Sequence, residues 1–262
     1  MPTSEPPLLD FNNISVSHDG HLGLNGFTLR IHAHEHVAIL GPNGSGKSTF
    51  IKTITRDCYP LWSEDSHVRI FGQEKWNVFD LRPLLGIVHM DLMQSYIRYP
   101  YSGREVILSG FFSSVGIWPN HEVTDGMRGR ADELLEQLEI AHLAERTVSQ
   151  MSTGESRRLL IGRALVHRPK ALILDEPTAS LDIRATHELL EIMRKVAGET
   201  TIILVTHHLS DIVPEIERVV LLRNGRVFRD GPKREILESE ALGELFCMPV
   251  EVLERRGYYH LL

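Results

Sequence analysis

The sequence has 262 residues, 42% hydrophobic and 24% charged, which is ordinary for a globular chain and long enough for one large core or a core with an inserted subdomain. A net charge of −7 argues against a nucleic-acid binder, whose affinity rests on basic clusters. No apolar run approaches the roughly 18 residues of a spanning helix, MPTSEPPLLD lacks signal-peptide character, and Cys58 and Cys247 lack metal-ligand spacing, so a cytoplasmic chain with free thiols is expected.

In chain order, GFTLRIH (Gly26–His32) alternates apolar and polar residues and predicts an antiparallel strand. His32, His34 and His36 recur at alternate positions. On a strand they would share one face, as a solvated edge or, less expected, as ligands of a transition metal. Val37–Leu40 is a β-prone apolar run and predicts a buried strand. Directly after it, Gly41-Pro42-Asn43-Gly44-Ser45-Gly46-Lys47-Ser48 matches G-x-x-x-x-G-K-[ST]. The glycines let backbone N–H groups wrap a phosphate, and a helix opening at about Gly46 adds its dipole. Lys47 would reach the β- and γ-phosphates of ATP and the Ser48 hydroxyl would ligate Mg²⁺. Gly41 through Thr49 is taken as nucleotide-binding.

Ala171–Leu174 predicts a second buried strand, ending in two acids. Asp175 suits Mg²⁺, and Glu176 can orient a water and act as general base. In IRATHELLEIMRKVAG, Leu189, Ile192, Met193 and Val196 fall at helical spacing, with Asp182 as N-cap and Gly198 as the stop. Thr200–Thr206 predicts a third strand, so a parallel sheet with intervening helices is expected. RVFRDG (Arg226–Gly231) alternates and predicts an antiparallel strand.

The stretch QMSTGESRRLLIGRALVHRPKALILDEP resembles the ATP-binding subunits of ABC transporters. Their L-S-G-G-Q signature appears as Met151-Ser152-Thr153-Gly154-Glu155, followed by ILDEP, by ASLD at Ala179–Asp182 and by VTHH at Val205–His208, in the family's order. The resemblance runs from Leu8 to about Leu237. Ser152 and Glu155 also spell a capping box, which engages Glu155 with the Ser152 N–H. A capped helix end with Gly154 exposed is also an anion site. The resemblance implies an α/β fold: a P-loop NTPase core with a mainly parallel sheet (8–91 and 151–237), an N-terminal antiparallel β-subdomain, an inserted α-helical subdomain at about 92–150 and a tail at 238–262. It also implies Mg²⁺-dependent ATP hydrolysis, with Ser152 and Gly154 on the γ-phosphate held by an opposite subunit. One phosphate loop and one signature per chain then imply a head-to-tail dimer, of like or unlike subunits. The implied partner is a transmembrane permease at the inner face of the cell membrane. The rival is a soluble ABC ATPase acting on a ribosome or nucleic acid. Such proteins usually join two ATPase halves through basic linkers, and this sequence has neither.

The resemblance assigns several single residues. His207 is the switch histidine on the γ-phosphate, favoured over His208 by its place at the strand end. His18, in ISVSHDG, is placed to stack on adenine, with Phe11 a lesser candidate. Asp182 would lie at the dimer interface. In GIVHMDLMQS (Gly86–Ser95) the family's glutamine, which reaches Mg²⁺ and the attacking water, falls on Met90, and a thioether is no ligand for Mg²⁺. Gln94, Asp91 or a water are the alternatives. Gln94 is favoured as both ligand and catalytic group because it keeps the amide, provided the loop Met90–Gln94 folds back. Tyr96, Tyr99, Tyr101, Phe111, Phe112 and Trp118 are divided between the insertion's own core and a groove for the permease. Arg104–Trp118 resembles the molybdate-type branch of the family.

Overall fold

The structure is a computed structural model that describes residues 5–18, 20–89 and 91–262, with His18 described in its backbone only. Two compact units divide it, one built from the chain up to Leu81 together with Thr201–Leu262, the other from Arg82–Thr200. The first unit opens with β1 (Leu9–His18), β2 (His21–Ile31), β3 (Val37–Leu40), α1 (Lys47–Ile54), β4 (His67–Ile70) and α2 (Val78–Leu81). The second holds β5 (Leu85–Val88), α3 (Asp91–Ile97), α4 (Gly103–Ser109), α5 (Asp125–Gln137), α6 (Thr153–Leu165), β6 (Ala171–Asp175) and α7 (Ile183–Ala197). The first unit resumes with β7 (Thr201–Thr206), β8 (Arg218–Arg223), β9 (Arg226–Pro232), α8 (Lys233–Ile236), α9 (Ser239–Phe246), β10 (Val252–Arg255) and β11 (Tyr258–Leu261).

In the first unit, β1 pairs antiparallel with both β2 and β4. The alternation of GFTLRIH reports one buried and one open face of β2. In the other sheet of this unit β3 lies between β7 and β8, parallel to both, and β9 runs antiparallel to β8 as its alternation predicts. Every residue of β3 and β7 is buried, which is why both read as unbroken apolar runs. Phe11, Phe27 and Phe50 meet at centroid distances of 5.6 to 6.0 Å and fix α1 against the antiparallel sheet. The C-terminal segment, expected only as a tail, folds as α9 and the hairpin β10–β11, turned at Gly257 with φ 82°.

The shared strand face expected of His32, His34 and His36 is not formed. β2 and β3 belong to different sheets, so the chain must turn between them, and His34 takes φ 63°. His36 Nδ1 accepts the Ile202 N–H at 3.0 Å, and burial holds its imidazole below the usual range. Among the described residues the three histidines are not gathered as a metal-ligand group.

In the second unit β5 and β6 pair in parallel, with Val88 opposite Leu174. Gly86 allows α6 to come close, since a Cβ there would stand 2.8 Å from Ala164 O. Tyr96 is fully buried; its hydroxyl lies 2.6 Å from Ser109 Oγ and accepts from Arg163 Nε at 2.8 Å. Tyr99 and Trp118 stay more than half exposed, while Phe112 stacks on His121 at 4.2 Å. On α7, Leu189, Ile192, Met193 and Val196 are buried and Gly198 is the C-cap, as the spacing predicts. Among the described residues no helix is long and apolar enough to cross a membrane.

Candidate active site

In the first unit, the parallel register sets the site. Leu40 stands opposite Thr206, so Gly41 and His207 leave the carboxyl ends of adjacent strands together, and Gly41 N donates to Thr206 O at 3.4 Å. The loop after β3 turns on Gly44 (φ 77°) and Gly46 (φ 109°), conformations that a Cβ disfavours. A Cβ on Gly46 would also collide with Gly23 O. Gly225, in the β8–β9 turn, braces the loop by donating to Ser45 O at 2.8 Å. Lys47 is 7% exposed, and its ammonium donates to Gly41 O at 2.6 Å and Pro42 O at 3.2 Å. Asn43, Gly44 and Ser48 are exposed, and Thr49 is buried. Ser45 Oγ is buried with no partner among the described residues, a donor turned into the cradle's own wall.

The turn after β7 is rigid for a visible reason. Thr206 Oγ donates to the buried Asp211 carboxylate at 2.6 Å and accepts the His208 N–H at 3.0 Å. His207 is half-buried and His208 exposed, their rings 3.8 Å apart. The His18 side chain lies outside the described residues. Phe11, the lesser adenine candidate, is 1% exposed inside the three-phenylalanine core and has no face to offer a base.

In the second unit the same logic of adjacent strand ends applies to the acids. Val88 opposite Leu174 puts His89 beside Asp175, and His89 Nδ1 lies 3.4 Å from Asp175 Oδ2. Sequence reasoning passed over His89. The only signal available was its position one residue past an apolar run. Met90 lies outside the described residues. The expected fold-back loop is corrected: Asp91–Gln94 is the first turn of α3, with Asp91 favourably at the positive end and Gln94 exposed.

Glu176 takes φ 48°, a left-handed conformation costing a non-glycine residue about 1 kcal/mol or more. Arg157 of α6, 4% exposed, holds this turn. Its guanidinium donates to Glu176 O at 2.9 Å and also to Pro177 O and Ala179 O. Arg157 was also missed, because nothing in the order of residues distinguishes it from its exposed-type neighbours. Arg157→Met is expected to lower unfolding stability by roughly 2–4 kcal/mol, from several charge-assisted bonds lost to buried carbonyls. Urea titration followed by circular dichroism measures it; an unchanged midpoint would mean that the turn holds itself.

The signature residues open α6 with the expected capping box: Ser152 Oγ accepts Glu155 N–H at 3.2 Å and Glu155 Oε2 accepts Ser152 N–H at 2.7 Å. Gly154 packs under the start of α7, where a Cβ would stand 2.8 Å from the Ala185 methyl. Asp182 caps α7 by accepting the Ala185 N–H at 2.8 Å. Two helix N-termini, those of α6 and α7, therefore lie side by side.

Residues 24–179 match the family model described as ABC transporter. The chain is 32% identical over 240 residues to the hemin import ATP-binding protein HmuV of Streptomyces coelicolor, spanning 88% of this chain and 82% of that protein. An ABC transporter in an inward-facing conformation shares the fold at TM-score 0.78 and 22% identity, over 98% of this chain and 97% of that one. The dimeric ATP-binding cassette MJ0796, solved with ADP and Pi, is 25% identical at TM-score 0.68, over 86% of this chain and 98% of that one. On this likeness, which runs through the phosphate loop and the signature to the acidic strand end, the chain belongs to the ATP-binding subunits of ABC transporters and is an ATPase of that family.

Proposed function

We propose that the chain hydrolyses Mg²⁺-bound ATP in sites assembled head to tail between two copies or between it and a similar subunit, and so drives a separate permease from the inner face of the membrane. The carrying observation is the cradle Gly41–Ser48, with its buried Lys47, at the end of a strand next to the one that delivers His207. The loop from Gly41 to Thr49 wraps the phosphates with backbone N–H groups, and Lys47 exchanges its carbonyl partners for β- and γ-oxygens. Ser48 and Asp175 fit Mg²⁺, being oxygen donors at least partly open to approach. When bound, the ion neutralises charge on the phosphate oxygens. Glu176 takes a proton from the attacking water, and His207 contacts the γ-phosphate.

Ser152 and Gly154, at the end of α6, supply the second half of the site to a partner's γ-phosphate. Beside them Ile183, apolar and 92% exposed in the first turn of α7, suits a face that another copy covers. Asp182 keeps its capping bond there and adds an interface role. The exposed Tyr99 and Trp118 suit the permease contact. His18 remains the candidate for adenine. The molybdate-like placement rests on Arg104–Trp118.

The purified chain is expected to hydrolyse ATP with Mg²⁺ and to stop when the ion is chelated. A chain that binds ATP tightly but releases no phosphate under either condition would overturn the proposal. The glutamine question has its own test. With Gln94 on the exposed first turn of α3 and not on a loop folded back over the site, Gln94→Ala and Asp91→Ala are both expected to leave kcat and ATP affinity nearly unchanged. Steady-state rates of the two variants decide it; a Gln94→Ala that loses kcat at unchanged ATP affinity would show that its amide reaches the attacking water after all.

A further inference from the structure

Glu155 stands where the family's signature has glutamine. Its two oxygens have separate partners. Oε2 completes the cap by accepting the Ser152 N–H at 2.7 Å. Oε1 lies 3.5 Å from His142 Nε2 and 3.6 Å from Arg146 Nη1. Both side chains come from the segment just before the signature: His142 from the 3-10 turn Ala141–Leu143, Arg146 from the chain after it. Arg146 is itself held in place. Its Nη2 donates to Gln150 O at 2.5 Å, and its own carbonyl accepts the Gly103 N–H at 3.1 Å. Burial alone would raise the Glu155 carboxyl, but the Ser152 backbone and hydroxyl, His142 and Arg146 together hold it below the usual range. The side chain is therefore an anion at neutral pH, on the helix end offered to the γ-phosphate.

An uncompensated carboxylate there would repel the ligand. Side chains 60% and 43% exposed for His142 and Arg146 make these contacts poor contributors to folding. Their value lies in the local field. Resting on the head-to-tail assembly above, we propose that Arg146 and His142 are positioning residues for nucleotide: Arg146 offsets the charge on Oε1 of Glu155 and His142 engages the same oxygen, so that the α6 end attracts rather than repels the terminal phosphate of ATP held by the opposite copy.

The test uses the full chain carrying Glu176→Gln, with light scattering to find the ATP concentration for half-maximal dimer formation. Arg146→Ala is expected to raise that concentration roughly threefold to fivefold at low ionic strength, with His142→Ala in the same direction. The shift should vanish near 1 M salt, where the screening length is about 3 Å. Glu155→Gln keeps an oxygen for the Ser152 N–H, so adding it to Arg146→Ala should restore the value of Glu155→Gln alone. A purely structural role for Arg146 would give no salt dependence and no rescue. A dimer that forms normally in Arg146→Ala overturns the inference, and so does a shift that persists in the double variant, which would put Arg146 directly on the phosphate. If the parent shows no ATP-dependent dimer at all, it is the assembly that fails.

Discussion

Glu176→Gln is expected to bind ATP with nearly unchanged affinity and to hydrolyse it about 10²–10⁴-fold more slowly. The amide keeps the size of the side chain and the backbone conformation at φ 48°, which Arg157 secures through the Glu176 carbonyl. What is lost is the ability to take a proton from water. Binding and chemistry should therefore separate, and the ATP-bound dimer should accumulate because its exit by hydrolysis is closed. Single-turnover phosphate release, read beside nucleotide affinity, measures both. Hydrolysis at the normal rate would show that the proton leaves by another route.

Lys47→Ala should act at the opposite step. The ammonium is buried within a loop of neutral carbonyls and amides, where an anion meets little screening by water. Removing it takes away its charge-assisted contact with the β- and γ-phosphates, worth about 1.5–3 kcal/mol in all, so ATP affinity should fall by roughly tenfold to a hundredfold. Calorimetry tests this, with circular dichroism to establish that the loop's lost bonds to Gly41 O and Pro42 O have not unfolded the chain. Unchanged affinity would remove the phosphate-loop assignment.

How far the sequence discloses this site depends on whether a contact is local. The cradle, the capping box of Ser152 and Glu155, and the Asp182 cap are all made within a few residues of chain, so their spacing states their geometry. The strands β3, β6 and β7 are buried on both faces, and that leaves an unbroken apolar signature. His89 against Asp175 is different. It arises only because β5 and β6 pair in one particular register, and no feature of GIVHMDLMQS states which strand lies next to it or how it is aligned. Arg157 is hidden for a related reason: its carbonyl partners lie about twenty residues on, beyond an intervening strand. The turn of His32–His36 is not legible in the sequence because alternation describes a strand only while the chain stays in one sheet.

The composite site is tested most directly by mixing two inactive chains. Lys47→Ala loses the phosphate loop's charge but keeps its signature. Ser152→Asp keeps a good N-cap on α6 while placing a carboxylate where a partner's phosphate should arrive. Each alone should be nearly inactive at saturating ATP. In an equal mixture, half of the randomly formed dimers pair the intact loop of one chain with the intact signature of the other, in one of their two sites. The rate should then recover to about a quarter of the unmodified protein's. A mixture no faster than the sum of its two components would contradict a site shared between copies and would place both halves within one chain.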